Sequence, residues 1–160
     1  MNIDQAIKKA SSVLKKNHIK SAFLDCEILM SKALNKSREF IIMNPNEKIN
    51  DYEYRKFKKL ISSRSKNKPI AYIIGKKSFW KYNFNVSEKV LIPRPDTEIL
   101  IEQVLKRFKK KESINFLEIG IGSGCIILSI LKEKKSFLGR GIDLCKESLK
   151  VCKDNANRLN

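Results

Sequence analysis

The stretch Glu118-Ile119-Gly120-Ile121-Gly122-Ser123-Gly124, with an acid at Asp143 19 residues after the last glycine, has the residue types and spacing of a ligand site. Glycines are wanted where the backbone must turn tightly and a ligand must approach it without a side chain in the way. An acid at the end of the following strand can accept hydrogen bonds from both ribose hydroxyls of an adenosine group. A dinucleotide fold prefers G-x-G-x-x-G with the pyrophosphate on the helix N-terminus, whereas here the third glycine comes one residue early and Cys125 stands where that pattern has glycine. Glu118, just ahead of the first glycine, suits a ligand with a positive amino group and a sulfonium. S-adenosylmethionine is therefore favoured, and a dinucleotide or a turn without ligand remain as alternatives. The candidate cofactor-binding residues are Gly120, Ile121, Gly122, Ser123, Gly124 and Asp143.

The elements that position these residues alternate strand and helix. Residues 114–119 read as a short apolar strand, 120–124 as the turn, 125–131 as an apolar helix start and 137–143 as a second strand. Leu149, Cys152, Ala156 and Leu159 mark the buried face of a last helix. Such a βαβα order implies a parallel sheet of Rossmann type. Ahead of it, Trp80, Tyr82, Phe84 and Val86 alternate with polar residues, the pattern of a half-buried strand within a hairpin. Pro93 and Pro95 interrupt the ladder, and Asp96 or Thr97 can cap a helix that buries Ile101, Val104 and Leu105.

Residues 2–66 read as a run of short helices. Ile3, Ala6, Ile7, Ala10 and Val13 form one apolar stripe. Ser21 can cap a second helix burying Leu24, Ile28 and Leu29, and a short segment over 40–43 ends at Asn44-Pro45. Asn50 or Asp51 can open a helix carrying Tyr54, Phe57, Leu60 and Ile61, closed near Pro69. The predicted architecture is α/β: a helical domain over 1–74, a hairpin linker over 75–95, and the start of a Rossmann-like sheet over 96–160.

A formal net charge of +17 would ordinarily suggest an acidic partner such as nucleic acid. The lysines, however, are spread through helices and loops, and no aromatic-rich strand sits among them as a base-stacking platform. Lysine, isoleucine and asparagine are all abundant, as an AT-rich genome produces on any surface, so no direct nucleic-acid contact is expected. No apolar run approaches the ~18 residues of a membrane span, and the N-terminus lacks the layout of a secretory signal, which predicts a cytoplasmic protein. Cys26, Cys125, Cys145 and Cys152 show no C-x-x-C spacing and His18 is the single histidine, so neither a disulfide framework nor a metal site is indicated.

Several stretches together resemble a known family. They are 68–75 (KPIAYIIG), Phe79-Trp80, 90–98 (VLIPRPDTE), the turn at 118–124, and Asp143. These look like the HemK/PrmC family of protein-glutamine methyltransferases, with I-P-R-P-D-T-E the most specific part; Asp25-Cys26-Glu27-Ile28-Leu29 resembles the family's helical-domain signature. The resemblance implies a substrate-recognising helical domain, a hairpin linker and a class I methyltransferase domain. It implies S-adenosylmethionine as cofactor and the G-G-Q glutamine of peptide chain release factors, met near the ribosome, as substrate. By position, residues 120–124 line the methionine end of the cofactor, Asp143 binds its ribose and 93–98 border the pocket. Tyr72 and Trp80 either shape the substrate entrance or, as large aromatics, fill core. The family's catalytic N-P-P-Y does not occur in these residues, so no catalytic residue is assigned. The expectation is a cofactor-binding half that is inactive alone, with a non-catalytic release factor or ribosome binding module, or a basic RNA-binding piece, as rival readings.

Overall fold

In a computed structural model, which describes residues 1–159, Asn2 opens the chain's first helix with a reciprocal cap. Its side chain accepts the Gln5 N–H at 2.9 Å while the Gln5 side chain accepts that of Asn2. Helix α1 (Ile3–Lys16) buries Ile3, Ala6, Ile7, Ala10 and Leu14. Val13, expected on that stripe, is 44% exposed, because the step from Ala10 to Leu14 continues the helical period and Val13 falls beside it. The inward face of helix α2 (Ala22–Leu34) is also shifted from the one expected: Leu29 is buried as expected, but Cys26 and Met30 are buried with it and Leu24 is exposed. Two acids lie on the buried face and disguise it in the sequence. Asp25 pairs with Arg64 at 2.6 Å and Glu27 with Arg38 at 2.7 Å. Ser21 makes no side-chain cap bond; its carbonyl instead receives the Asp25 N–H at 2.8 Å.

Helix α3 (Arg38–Met43) supplies Arg38, and α4 (Asp51–Ser65) supplies Arg64, Phe57 and Ile61. Asn50 and Glu53 form a second capping box at the start of α4. After Pro69 a short helix, α5 (Ile70–Ile74), ends this first unit, Met1–Ile74, whose core is one apolar cluster.

The second unit begins at Gly75. Strands β1 (Lys76–Phe79) and β2 (Tyr82–Asn85) pair antiparallel with Phe79 opposite Tyr82, leaving Trp80-Lys81 as a two-residue turn. Trp80, expected to begin a strand, sits at φ +55° in that turn. Its N–H donates to Glu98 at 2.8 Å, and its indole Nε1–H donates to Glu133 at 3.0 Å, which fix a conformation that periodicity could not reveal. A 3₁₀ turn (Pro95–Thr97) leads into α6 (Glu98–Arg107), and Thr97 makes no side-chain cap bond there. Its own N–H is already used by the turn, donating to Arg94 O at 3.1 Å.

Strands β3 (Asn115–Ile119) and β4 (Leu138–Ile142) are parallel, joined through α7 (Cys125–Glu133), and α8 (Lys146–Leu159) follows. The chain is thus a mixed α/β protein with a helical N-terminal region, a strand hairpin and the start of a parallel sheet. Phe79, Phe84, Ile101, Ile130 and Phe137 form the core of this unit. Ile121 and Ile127 pack directly over Gly141 and Gly139 of β4. On the opposite side Leu117, Ile119, Leu138 and Ile142 are all exposed. In α8 the buried positions are Ser148, Cys152 and Asn155, whereas Leu149, expected inside, is exposed. Polar side chains take inward positions because backbone groups meet them there; the Ser148 hydroxyl, for example, donates to Lys89 O at 3.1 Å. Among the described residues no helix is long and apolar enough to cross a membrane.

Candidate cofactor site at the ends of the parallel strands

A parallel pair presents its carboxyl ends side by side, and in open α/β sheets ligands gather there. Here Ile119 stands opposite Ile142, so the glycine turn leaves β3 next to the residue that ends β4. Gly120 N–H and Ile121 N–H both donate to Ile142 O, at 2.8 and 3.0 Å. Gly120, Gly122 and Gly124 have φ of +79°, +54° and +78°, a region that L side chains rarely adopt. The turn needs all three.

Asp143 closes the arrangement. One carboxylate oxygen accepts the Gly122 N–H at 2.9 Å and the other the Cys145 N–H at 2.9 Å. These donors, Cys145 first and Gly122 second, hold its carboxyl below the ordinary aspartate range, so it is ionised at neutral pH. Ile119, Gly120, Ile142, Asp143 and Leu144 line a cleft of about 310 Å³ at this end of the sheet. The sequence-predicted residues 120–124 and Asp143 are therefore brought together, although Ser123 is only 2% exposed and its carbonyl is taken by the Asn155 side chain at 2.9 Å.

Glu118 is placed differently from the expectation that it would favour a cationic ligand. Its carboxylate accepts the Ile127 N–H at 2.9 Å. Gly124, at the N-cap of α7, has no side chain to offer, and Glu118 does from across the turn what a capping side chain does locally. Burial pushes its pKa up to about 7, against the lowering effect of that N–H. Burial also disfavours the thiolate at the cysteines nearby, raising Cys125 to about 11 and, with the Glu118 charge, raising Cys152. No group of three or more potential metal ligands occurs among the described residues.

Two residues of this unit have roles that sequence reasoning missed, Glu98 figuring there only within the 93–98 segment expected to border the pocket. Glu98, the last residue of the I-P-R-P-D-T-E stretch, holds the Trp80 turn of the hairpin. Asn155 is fully buried and bonds to Asn85 and Ser123. Its signal was a polar side chain at helical spacing from Cys152 and Leu159. Trp80 is half-buried and packs against the unit's core. The helical unit has a separate apolar groove between α1 and α4, lined by Ala6, Ala10, Tyr54 and Phe57 among others.

Residues 5–75 match the family model of the PrmC N-terminal domain. The chain is 40% identical over 160 residues to a release factor glutamine methyltransferase of Buchnera aphidicola subsp. Schizaphis graminum, covering 100% of this chain and 57% of the relative. It is 42% identical over 154 residues to one of Leptospira interrogans, covering 96% and 54%. It is also 34% identical over 182 residues to a bifunctional methyltransferase of Rickettsia felis, covering 97% and 34%. The chain spans about half the length of the release factor glutamine methyltransferases it matches. The helical unit is therefore similar to the PrmC N-terminal domain, and the chain as a whole is similar to release factor glutamine methyltransferases over essentially all of its 160 residues.

Proposed function

We propose that this chain binds S-adenosylmethionine at the carboxyl ends of β3 and β4 and serves methylation of the side-chain amide of the G-G-Q glutamine in peptide chain release factors. The observation that carries the reading is the open backbone of Gly120 and Gly122 beside an ionised Asp143. No atom lies within 4 Å of where a Cβ would stand on either glycine, so a ligand can lie against the chain there. The cleft lining contains one acid and no base, which suits a sulfonium and an amino group better than a pyrophosphate. In this reading residues 120–124 hold the methionine end of the cofactor and Asp143 its ribose. When bound, the cofactor supplies an electrophilic methyl group.

The residues 1–74 serve protein-substrate recognition and 75–95 link them to the cofactor domain, and the protein acts in the cytoplasm, where release factors work. An amide nitrogen is a poor nucleophile because its lone pair is delocalised, so much of the acceleration must come from orientation. No N-P-P-Y occurs within the 160 residues to orient it. Cofactor binding without turnover is the expected property of these residues by themselves.

Calorimetry with S-adenosylmethionine, S-adenosylhomocysteine and NAD tests the cofactor, with binding expected for the first two only. Mass spectrometry of a G-G-Q peptide tests the reaction. A methyl group is expected only with a chimera in which this chain is continued by the C-terminal part of the Buchnera relative. Methylation by the 160 residues alone would overturn the reading of where catalysis resides. No cofactor binding, with capture of a release factor intact, would replace the reading by a binding module.

A further inference from the structure

The glycine turn is held from two sides, and only one of them is the ligand side. In front, Asp143 takes the Gly122 N–H. Behind, Asn155 of α8 donates from Nδ2 to Ser123 O at 2.9 Å and to Asn85 O at 3.0 Å, while its Oδ1 accepts the Asn85 N–H at 2.7 Å. Arg158 also reaches Oδ1 at 3.5 Å. A carboxamide has two N–H donors and one oxygen with two lone pairs, so the side chain is used to capacity. The Asn85 amide can only donate and the two carbonyls can only accept, so the orientation of the amide is determined by its partners.

Asn155 is 0% exposed. A buried carboxamide with every group satisfied holds its neighbours rigidly, and one with a group unsatisfied is costly. The three segments it joins are far apart in sequence: the last residue of the hairpin, the middle of the glycine turn, and the helix after Asp143. No other natural side chain can do the same from this position. Aspartate has no donor for the carbonyls, glutamine is a methylene too long, and an aliphatic residue would leave Ser123 O and both backbone groups of Asn85 without these partners.

We propose that Asn155 is the positioning residue of the cofactor turn, locking Ser123 to the hairpin so that Gly122 and Gly124 keep the left-handed backbone that the ligand meets. It does not touch the ligand. Through Asn155 the turn and Asn85 share one anchor, so ordering of the turn is felt at the hairpin. The proposal rests on the cofactor reading above for its functional consequence, but not for the anchoring itself.

The test uses the full chain with Asn155→Asp and Asn155→Ala, and with Lys153→Ala as an exposed control on the same helix. Calorimetry with S-adenosylmethionine is expected to show affinity weakened about tenfold or more in folded Asn155 variants and unchanged in the control. Hydrogen exchange without ligand is expected to be faster at the Gly122 and Gly124 amides of the variants. In the parent, saturating S-adenosylmethionine is expected to slow exchange at the Asn85 amide, a response that stability alone would not confine to that site; this measurement decides the matter if the variants do not fold. Affinity of a folded variant within about twofold of the parent, or an Asn85 amide indifferent to bound cofactor, overturns the proposal. If the parent binds no S-adenosylmethionine, the cofactor reading fails instead, and unchanged exchange at Gly122 and Gly124 in the ligand-free variants would then overturn the anchoring.

Discussion

The Asp143 carboxylate accepts the Gly122 N–H at 2.9 Å, so the acid that ends β4 and the middle glycine of the turn are joined before any ligand arrives. One side chain thereby acts twice. It shapes the turn through Gly122 and Cys145, and it lines the cleft in which the proposed cofactor would place its ribose. Substitutions at Asp143 will therefore combine a lost ligand contact with a loosened loop.

Asp143→Ala is expected to weaken S-adenosylmethionine binding about tenfold or more, since a hydrogen bond to a charged group contributes ~1.5 to 3 kcal/mol. Asp143→Asn keeps the shape and one acceptor, and is expected to fall between alanine and the parent. Equal affinities by calorimetry for parent and alanine variant would refute the ribose assignment.

Glu118 makes the second unit's stability depend on pH. Its folded pKa is about 7, above the ordinary 4.5, so between those values the folded protein keeps a proton that the unfolded chain has released. This contribution is fully present below the unfolded value and is lost as pH rises through about 7. The groups facing Glu118 are the Ile127 N–H and the Cys125 and Cys152 thiols. Glu118→Gln keeps an acceptor for Ile127 and removes the titration. Urea unfolding at about pH 5 and about pH 8 should show the parent losing on the order of 1 kcal/mol relative to this variant, a value discounted for partial exposure. Parallel pH dependences of the two proteins would count against it.

Gly141 is required by packing rather than by its backbone. A Cβ there would meet Ile121 Cδ1 at 1.8 Å, Cγ1 at 2.8 Å and Cβ at 3.2 Å, and the last of these cannot swing away. Gly141→Ala is expected to destabilise the second unit by ~1 to 3 kcal/mol through overpacking, and to disturb the turn because Ile121 belongs to it. A urea midpoint unchanged from the parent would show that Ile121 can move aside freely.

In the helical unit the side chains of Asp25 and Arg64 are 4% and 16% exposed and lie 2.6 Å apart. Removing one partner leaves the other buried and uncompensated, so Arg64→Ala is expected to cost ~3 to 5 kcal/mol. Replacing both residues with methionine should recover most of that loss, because no charge is then stranded. Unfolding followed by far-UV circular dichroism distinguishes the two, and a double variant no more stable than Arg64→Ala would contradict the pairing argument.

Local rules made much of this protein legible from its residues. The cap at Asn50 is set by side chains three residues apart, the glycine turn by the intolerance of other residues for positive φ, and the strand and helix alternation by the spacing of apolar groups. The juxtaposition of the turn with Asp143 followed from the parallel order alone. What the residues could not disclose lies with polar groups whose partners are distant in the chain. The inward face of α2 was masked by Asp25 and Glu27, which read as surface until Arg64 and Arg38 are seen to neutralise them. The Trp80 turn depends on Glu98 and Glu133, the direction of Glu118 on the uncapped start of α7, and the burial of Asn155 on Asn85 and Ser123. Periodicity records whether a side chain is apolar. Whether a polar one can be buried is decided by the hydrogen-bonding groups that folding brings to it, and only the tertiary structure assembles those.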